Sequence, residues 1–441
     1  MGDESVEQGQ PKPHSKKLKV LTTAAVYFGN IGLGYYVNAI PPALEDIRLQ
    51  YGAEIDEISV VFTIELILYC VGAITYGIVT KYINRQTVSI GALAGMAFSL
   101  YMIPHIPNIK VFFVIGGVVG VASGLYDALQ IVWIVEIWQE KCAPFILAQH
   151  LFFAIGTNIP SILIAPFLST DKTTTSRIYI PFTILGAITT LALLFQILLF
   201  TFCRYHTPPI YANDVSDKLT STNASQAQNE QASHDTSIVG TDSSSIMGMN
   251  KTKLQLIIIS GMFLGAYMGM EVCTLQFVPI FGQYSELHMT ESAAAYVLSG
   301  LTGMFALGRA IGLVLIFKMQ PEAILCINCF LVVVGNLILL LWASYNLTMF
   351  WVGCVILGAG FSTMYPAFCA FMEKYLVITN SIGSFFCVVG SVFASIYPLI
   401  VGHLIKQRAV VLTYTNFFST VACILSIVWG YIIVRTVKTR V

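Results

Sequence analysis

Apolar segments of about 20 residues recur along the chain, each long enough to cross about 30 Å of hydrocarbon as a helix. Twelve can be read, at roughly 19–40, 58–80, 86–105, 110–136, 143–168, 178–203, 254–281, 293–317, 322–344, 348–372, 378–403 and 412–435. Runs of that length exceed any soluble strand, and a membrane barrel strand would alternate in character over about ten residues. Charge agrees: 10% of the 441 residues are charged, against about 25% in a soluble domain. The expected fold class is an all-α membrane protein with 12 transmembrane helices in a lipid bilayer.

The opening stretch MGDESVEQGQPKPHSKKLK is polar and passes straight into the first span, so no cleavable signal peptide is expected. Lysine and arginine set the orientation. Lys12, Lys16, Lys17, Lys19, Lys81, Arg85, Lys251, Lys253, Arg435, Lys438 and Arg440 fall on one side. Arg48, Lys110, Lys172, Arg177, Lys406 and Arg408 fall on the other. The excess puts both termini in the cytosol, with the plasma membrane as the expected location. The net charge is zero and no segment has the basic footprint of a nucleic-acid binder.

Between residues 204 and 252 the pattern breaks into SDKLTSTNASQAQNEQASHDTSIVGTDSSS and similar polar sequence. Such a stretch cannot bury enough apolar surface to order itself and reads as a disordered cytoplasmic linker. The expected organisation is a tail (1–18), a six-helix bundle (19–203), the linker (204–252), a second six-helix bundle (253–435) and a short tail (436–441). Sequons at Asn223 and Asn250 fall in the linker, on the wrong side for glycosylation. A third, Asn346-Leu347-Thr348, falls in an outer turn close to the membrane.

The ten cysteines lack the spacing of a zinc site or a disulfide framework. The pair Cys326 and Cys329 reads as small packing residues on an apolar helix. No nucleophile elbow, phosphate loop or metal motif is present, so neither a cofactor nor enzymatic chemistry is expected.

Ionisable residues inside the spans are therefore the informative ones. A charge at the bilayer centre costs about 3 kcal/mol on insertion scales and normally faces a cavity or a partner. Asp127 lies about two thirds along the fourth span and Glu65 within the second, in VFTIELILYC. Glu271 lies in the seventh, within GAYMGMEVCTLQF, which reads as a glycine-interrupted helix that bends around a solute. Arg309 lies in the eighth. Helix packing is the alternative for Asp127, and an isolated gating or packing role for Glu65; for Glu271 and Arg309 the alternatives are mutual neutralisation or, for Arg309, a place in the cytoplasmic gate. Glu136, beside Trp138 at a helix end, reads as a structural contact. Tyr35, Asn38, Gln149, His150 and Gln276 add hydrogen-bonding groups at cavity depth, each equally readable as a helix–helix contact.

The two halves also look alike. HLFFAIG at 150–156 resembles SFFCVVG at 384–390, with Phe152 and Phe153 lying 233 positions before Phe385 and Phe386. The same offset places Gly32 on Gly265 and Asn38 on Glu271, as parallel six-span repeats would.

These residues lead to a family. GRAIGLVLIF followed by KMQPEAIL resembles the Gly-Arg-x-x-Gly signature of the fucose-permease-like branch of the major facilitator superfamily. GLYDALQIVWIVEIWQEKCAPFILAQHLFFAIG resembles the superfamily's sodium-dependent glucose transporters, which have a similar run of acid, Trp, Pro, Gln-His, Phe and Gly. The loop motif between spans two and three is degraded: GIVTKYINRQ keeps Gly77 and Arg85, but has Lys81 in place of an acid and Asn84 in place of Gly.

The resemblance implies the major facilitator fold of two parallel six-helix bundles. It implies secondary active transport of a small polar solute, a monosaccharide such as glucose, by alternating access coupled to Na⁺ or H⁺. It makes Asp127, at the place of the fucose permease's buried carboxylate, the coupling group. Glu65 would join it at one cation, as acids of spans two and four do in the melibiose permease. Asn38, Tyr35, Gln149, His150, Glu271, Gln276 and Arg309 become candidate solute ligands. Two further classes remain open: an uncoupled facilitator for a lipid-like or drug-like solute, and a non-transporting receptor or adaptor.

Overall fold

The computed structural model describes residues 16–80, 82–169, 177–205, 251–315, 318–375 and 380–438. The first-half helices are α1 (Lys16–Val37), α2 (Ile40–Tyr51), α3 (Ile55–Val79), α4 (Arg85–Met102), α5 (Ile109–Trp138), α6 (Ala143–Ile164) and α7 (Tyr179–Phe202). The second half holds α8 (Lys251–Tyr284), α9 (Glu291–Leu315), α10 (Pro321–Leu341), α11 (Leu347–Ser362), α12 (Met364–Glu373), α13 (Asn380–Leu404) and α14 (Val411–Lys438).

Among the described residues, ten helical segments are long and apolar enough to cross a bilayer, and Val388–Leu404 is a shorter apolar helix. All twelve expected spans have a helical counterpart: α1, α3 to α10, the α11–α12 pair, α13 and α14. The first helix begins at Lys16, inside the stretch expected to be tail. Nearly all of the expected linker, with Asn223 and Asn250, lies outside the described residues, as does Lys81.

Three features depart from the sequence reading. A separate helix, α2, follows the first span. Pro41 and Pro42 start it, where a missing N–H costs nothing, and Gly52, at φ 61°, ends it in the left-handed region that glycine adopts freely. The tenth span is broken at Thr363, which has φ −118° and ψ 5°. The seventh span is not interrupted at its glycines: α8 runs unbroken over 34 residues. Those glycines instead admit rings from α13. A Cβ on Gly265 would lie 3.0 Å from Phe393, and one on Gly269 2.8 Å from Tyr397.

Small residues set the spacing inside each half. Gly116, Gly120 and Gly124 recur every fourth residue on α5, the pattern that lets membrane helices approach backbone to backbone. A Cβ on Gly120 would sit 2.5 Å from the Glu65 carbonyl oxygen, and one on Gly124 2.0 Å from that of Tyr69. The halves meet where α3 packs on α13 and α6 on α9.

Most polar links across the halves lie toward the end of the bundle opposite the termini. Thr63 Oγ1 donates to the Ser395 carbonyl at 2.8 Å, and Thr302 Oγ1 to Asn158 Oδ1 at 2.9 Å. Lys406 pairs with Glu54, and His403 Nδ1 lies 3.5 Å from Asp56. From α2, Glu45 accepts from the Tyr284 hydroxyl at 3.4 Å. Glu45 also holds Arg48, and that bond keeps the Arg48 guanidinium above its usual range.

Candidate functional site

The two acids of the first half sit in separate settings. Asp127 is half-buried on α5, and each of its oxygens has a donor. The Tyr69 hydroxyl of α3 donates to Oδ2 at 2.5 Å, and Gln130 Nε2 donates to Oδ1 at 2.7 Å. Glu65 Oε1 accepts from the Tyr36 hydroxyl of α1 at 2.7 Å. The Glu65 backbone is level with Gly120, two turns of α5 from Asp127, or about 10 Å along the axis. The structure does not bring the two carboxylates together around one point.

The second half converges near the middle of the bundle on Arg309. Its Nε donates to the Ser362 carbonyl at 3.2 Å and its Nη1 to the His150 carbonyl of α6 at 3.1 Å. The guanidinium lies 4.1 Å from the ring centroid of Phe305 and 5.8 Å from that of Phe153, distances at which aromatic faces attract a cation. Around it stand Tyr365, whose ring is 6.4 Å from both His150 and Tyr267. The Tyr267 hydroxyl donates to the Phe361 carbonyl at 2.9 Å. Glu271, one turn along α8 from Tyr267, is 8% exposed and lies within electrostatic reach of Arg309. The ion pairs among the described residues do not include these two.

The remaining expected ligands are spread out. Gln149 accepts from Asn30 through its backbone carbonyl at 2.6 Å, and its buried side-chain oxygen has no protein partner. The buried Gln276 oxygen is likewise unpartnered. Tyr35 is buried near the C-terminal end of α1. Asn38 lies in the turn after α1, where its amide donates to the Thr157 carbonyl at 2.7 Å and to Ser161 Oγ at 3.2 Å. That placement corrects the expectation of cavity depth: Asn38 fastens α1 to α6. Glu136 is the helix-end contact expected, with Oε2 2.5 Å from Arg85 Nη2.

Sequence reasoning missed Tyr36, Tyr69 and Gln130, the donors to the acids. Gln130, three residues after Asp127, was within reach of a same-face argument. It also missed the rings of Phe153, Tyr267, Phe305 and Tyr365, which only the tertiary fold gathers.

The family model described as Major Facilitator Superfamily matches residues 26–398. The chain belongs to that superfamily. It is an integral multi-pass membrane protein with the superfamily fold.

Among curated relatives, it is 24% identical to sodium-dependent glucose transporter 1 of Danio rerio over 83% of this chain and 61% of that one. It is 23% identical to the Homo sapiens protein of the same name, over 81% and 68%. The chain thus spans about three fifths to two thirds of these relatives.

Solved structures share the fold. The FucP transporter in its outward conformation superposes with a TM-score of 0.62 at 15% identity, over 94% of this chain and 99% of that one. A bacterial homologue of the lysosomal transporter Spinster, inward-facing and unoccupied, gives 0.66 at 11%, over 96% and 98%.

Proposed function

We propose that this superfamily member is a secondary active transporter that carries a monosaccharide such as glucose across the plasma membrane, both termini lying in the cytosol. The observation that carries the reading is the convergence on Arg309 of polar groups and aromatic rings from both halves, near the middle of the bundle. A pyranose has polar edges and an apolar face, and such a cage offers hydrogen bonds beside rings. Glu271, within electrostatic reach of Arg309, supplies an acceptor for solute hydroxyls. Names of the curated relatives support the sugar.

Transport then proceeds by rocking of the two bundles about this midplane site. Coupling requires an ion that stabilises the two orientations unequally. Asp127 supplies it when Na⁺ or H⁺ neutralises the carboxylate before the half closes over it. Glu65 is a second acid of the same half, with its own donor, and acts as a separate site. Purified protein in proteoliposomes should accumulate labelled glucose under a Na⁺ or proton gradient. Equilibration without accumulation under either gradient would replace the coupled reading by facilitated diffusion.

A further inference from the structure

The Gly308-Arg309-x-x-Gly312 stretch of α9 packs against the break in the tenth span, and the two features fit each other residue by residue. A Cβ on Gly308 would lie 2.4 Å from Ser362 Oγ, and one on Gly312 2.3 Å from Thr363 Cγ2. A side chain at either glycine would push against the two residues where α11 gives way to α12. Between the glycines, Arg309 Nε holds the Ser362 carbonyl. This places a cation at the C-terminal end of α11, where unpaired carbonyls concentrate negative potential. Asn328 of α10 holds the far side of the break, its Nδ2 donating to Thr363 Oγ1 at 2.8 Å.

The second guanidinium bond differs in kind. His150 belongs to the first half, so Nη1 ties the socket of the break to the backbone of the other bundle. The Ser362 bond lies within one bundle and can persist while the bundles rock. The His150 bond exists only while α6 and α9 keep this register. A bond made in one orientation and lost in the other biases their populations by its own differential free energy.

We propose that Arg309 is the positioning residue of the transport cycle: it couples the broken tenth span to the relative orientation of the two halves. It acts through the Ser362 and His150 carbonyls, and through Tyr365 just past the break, rather than as a solute ligand. The signature that looked like a family marker is then the socket that seats this arginine. The inference rests on the alternating-access reading above and adds the residue that transmits the motion.

The test needs no solute. Nitroxide-bearing unnatural residues replace Lys141 and Lys318, both exposed, on opposite halves at the end of the bundle that carries the termini. Electron-spin distance distributions are then recorded in lipid nanodiscs. Arg309→Lys keeps the charge, but its single ammonium cannot brace two carbonyls on different helices as the planar guanidinium does. The population with the halves arranged as here should fall by about threefold to tenfold relative to the other orientation. An unchanged distribution overturns the proposal.

Gly308→Ala, which crowds Ser362, should produce a shift of the same direction, and Gly308→Ala with Ser362→Gly should restore the wild-type distribution. Failure of that rescue also overturns the proposal, and this pair decides the matter if Arg309→Lys does not insert. Because the readout is conformational, absence of glucose accumulation in proteoliposomes would remove the sugar reading and leave this result standing.

Discussion

Removing Arg85 should destabilise the protein far more than removing its partner Glu136, although both changes break the same ion pair. The side chain of Glu136 is 1% exposed and that of Arg85 is 17% exposed. Arg85→Gln leaves a carboxylate buried at the helix end with the Tyr205 hydroxyl, 3.0 Å from Oε1, but without its cation. Breaking a buried pair in this way costs about 3–5 kcal/mol. Glu136→Gln leaves the arginine bonded to the Tyr76 hydroxyl and free to turn its head toward water, at roughly 1–2 kcal/mol. The double variant has no stranded charge, so it should be more stable than Arg85→Gln alone by about 1–3 kcal/mol, a non-additivity expected of residues in contact. Reversible unfolding in mixed detergent micelles, followed by circular dichroism, measures all four proteins. Equal costs for the two single variants, with an additive double, would refute the buried-pair argument.

Asp127→Asn should abolish gradient-driven accumulation while leaving solute exchange across proteoliposomes intact, since Asn keeps the shape and loses the charge; unchanged accumulation would dismiss Asp127 as the coupling group. Because Glu65 and Asp127 stand about two turns apart, Glu65→Gln should leave the half-activating ion concentration of Asp127-dependent accumulation unchanged. A raised half-activating concentration in Glu65→Gln would point to one shared ion instead. Asn346 uses its side chain to accept from the Met349 N–H at 3.1 Å as the cap of α11. Asn346→Ala should therefore cost about 1 kcal/mol and leave electrophoretic mobility unchanged before and after glycosidase. A protease site inserted at Ser225 should be cut only from the cytosolic side, and cleavage from outside intact cells would reverse the orientation.

Much of the architecture was legible because membrane insertion is governed by local composition. A span must satisfy its own backbone hydrogen bonds and bury its side chains in lipid, so length and hydropathy alone locate it. That is why twelve spans have helical counterparts close to their expected limits. The same rule explains the misses. The α2 helix is neither long nor apolar enough to register as a span, and its start rests on the Pro41–Pro42 pair rather than on hydropathy. The tenth span reads as one apolar run, and nothing in its composition marks Thr363 as the break. The glycines of α8 read as a bend in one dimension, whereas in three they are seats for Phe393 and Tyr397.

For the site, the sequence determined which residues had to be explained. Asp127, Glu65, Glu271 and Arg309 are costly at membrane depth wherever they point, and that cost is a property of the residue and the bilayer. Their partners were decided elsewhere. Tyr69 reaches Asp127 because glycines on α5 let α3 approach; Tyr36 reaches Glu65 from a third helix. The Arg309 cage draws on α6, α8, α9, α11 and α12 at once. Burial depth follows from how many apolar residues surround a position along the chain. Hydrogen-bond partners follow from helix rotation and spacing, which are settled by close packing between segments distant in sequence, and so only the tertiary structure could supply them.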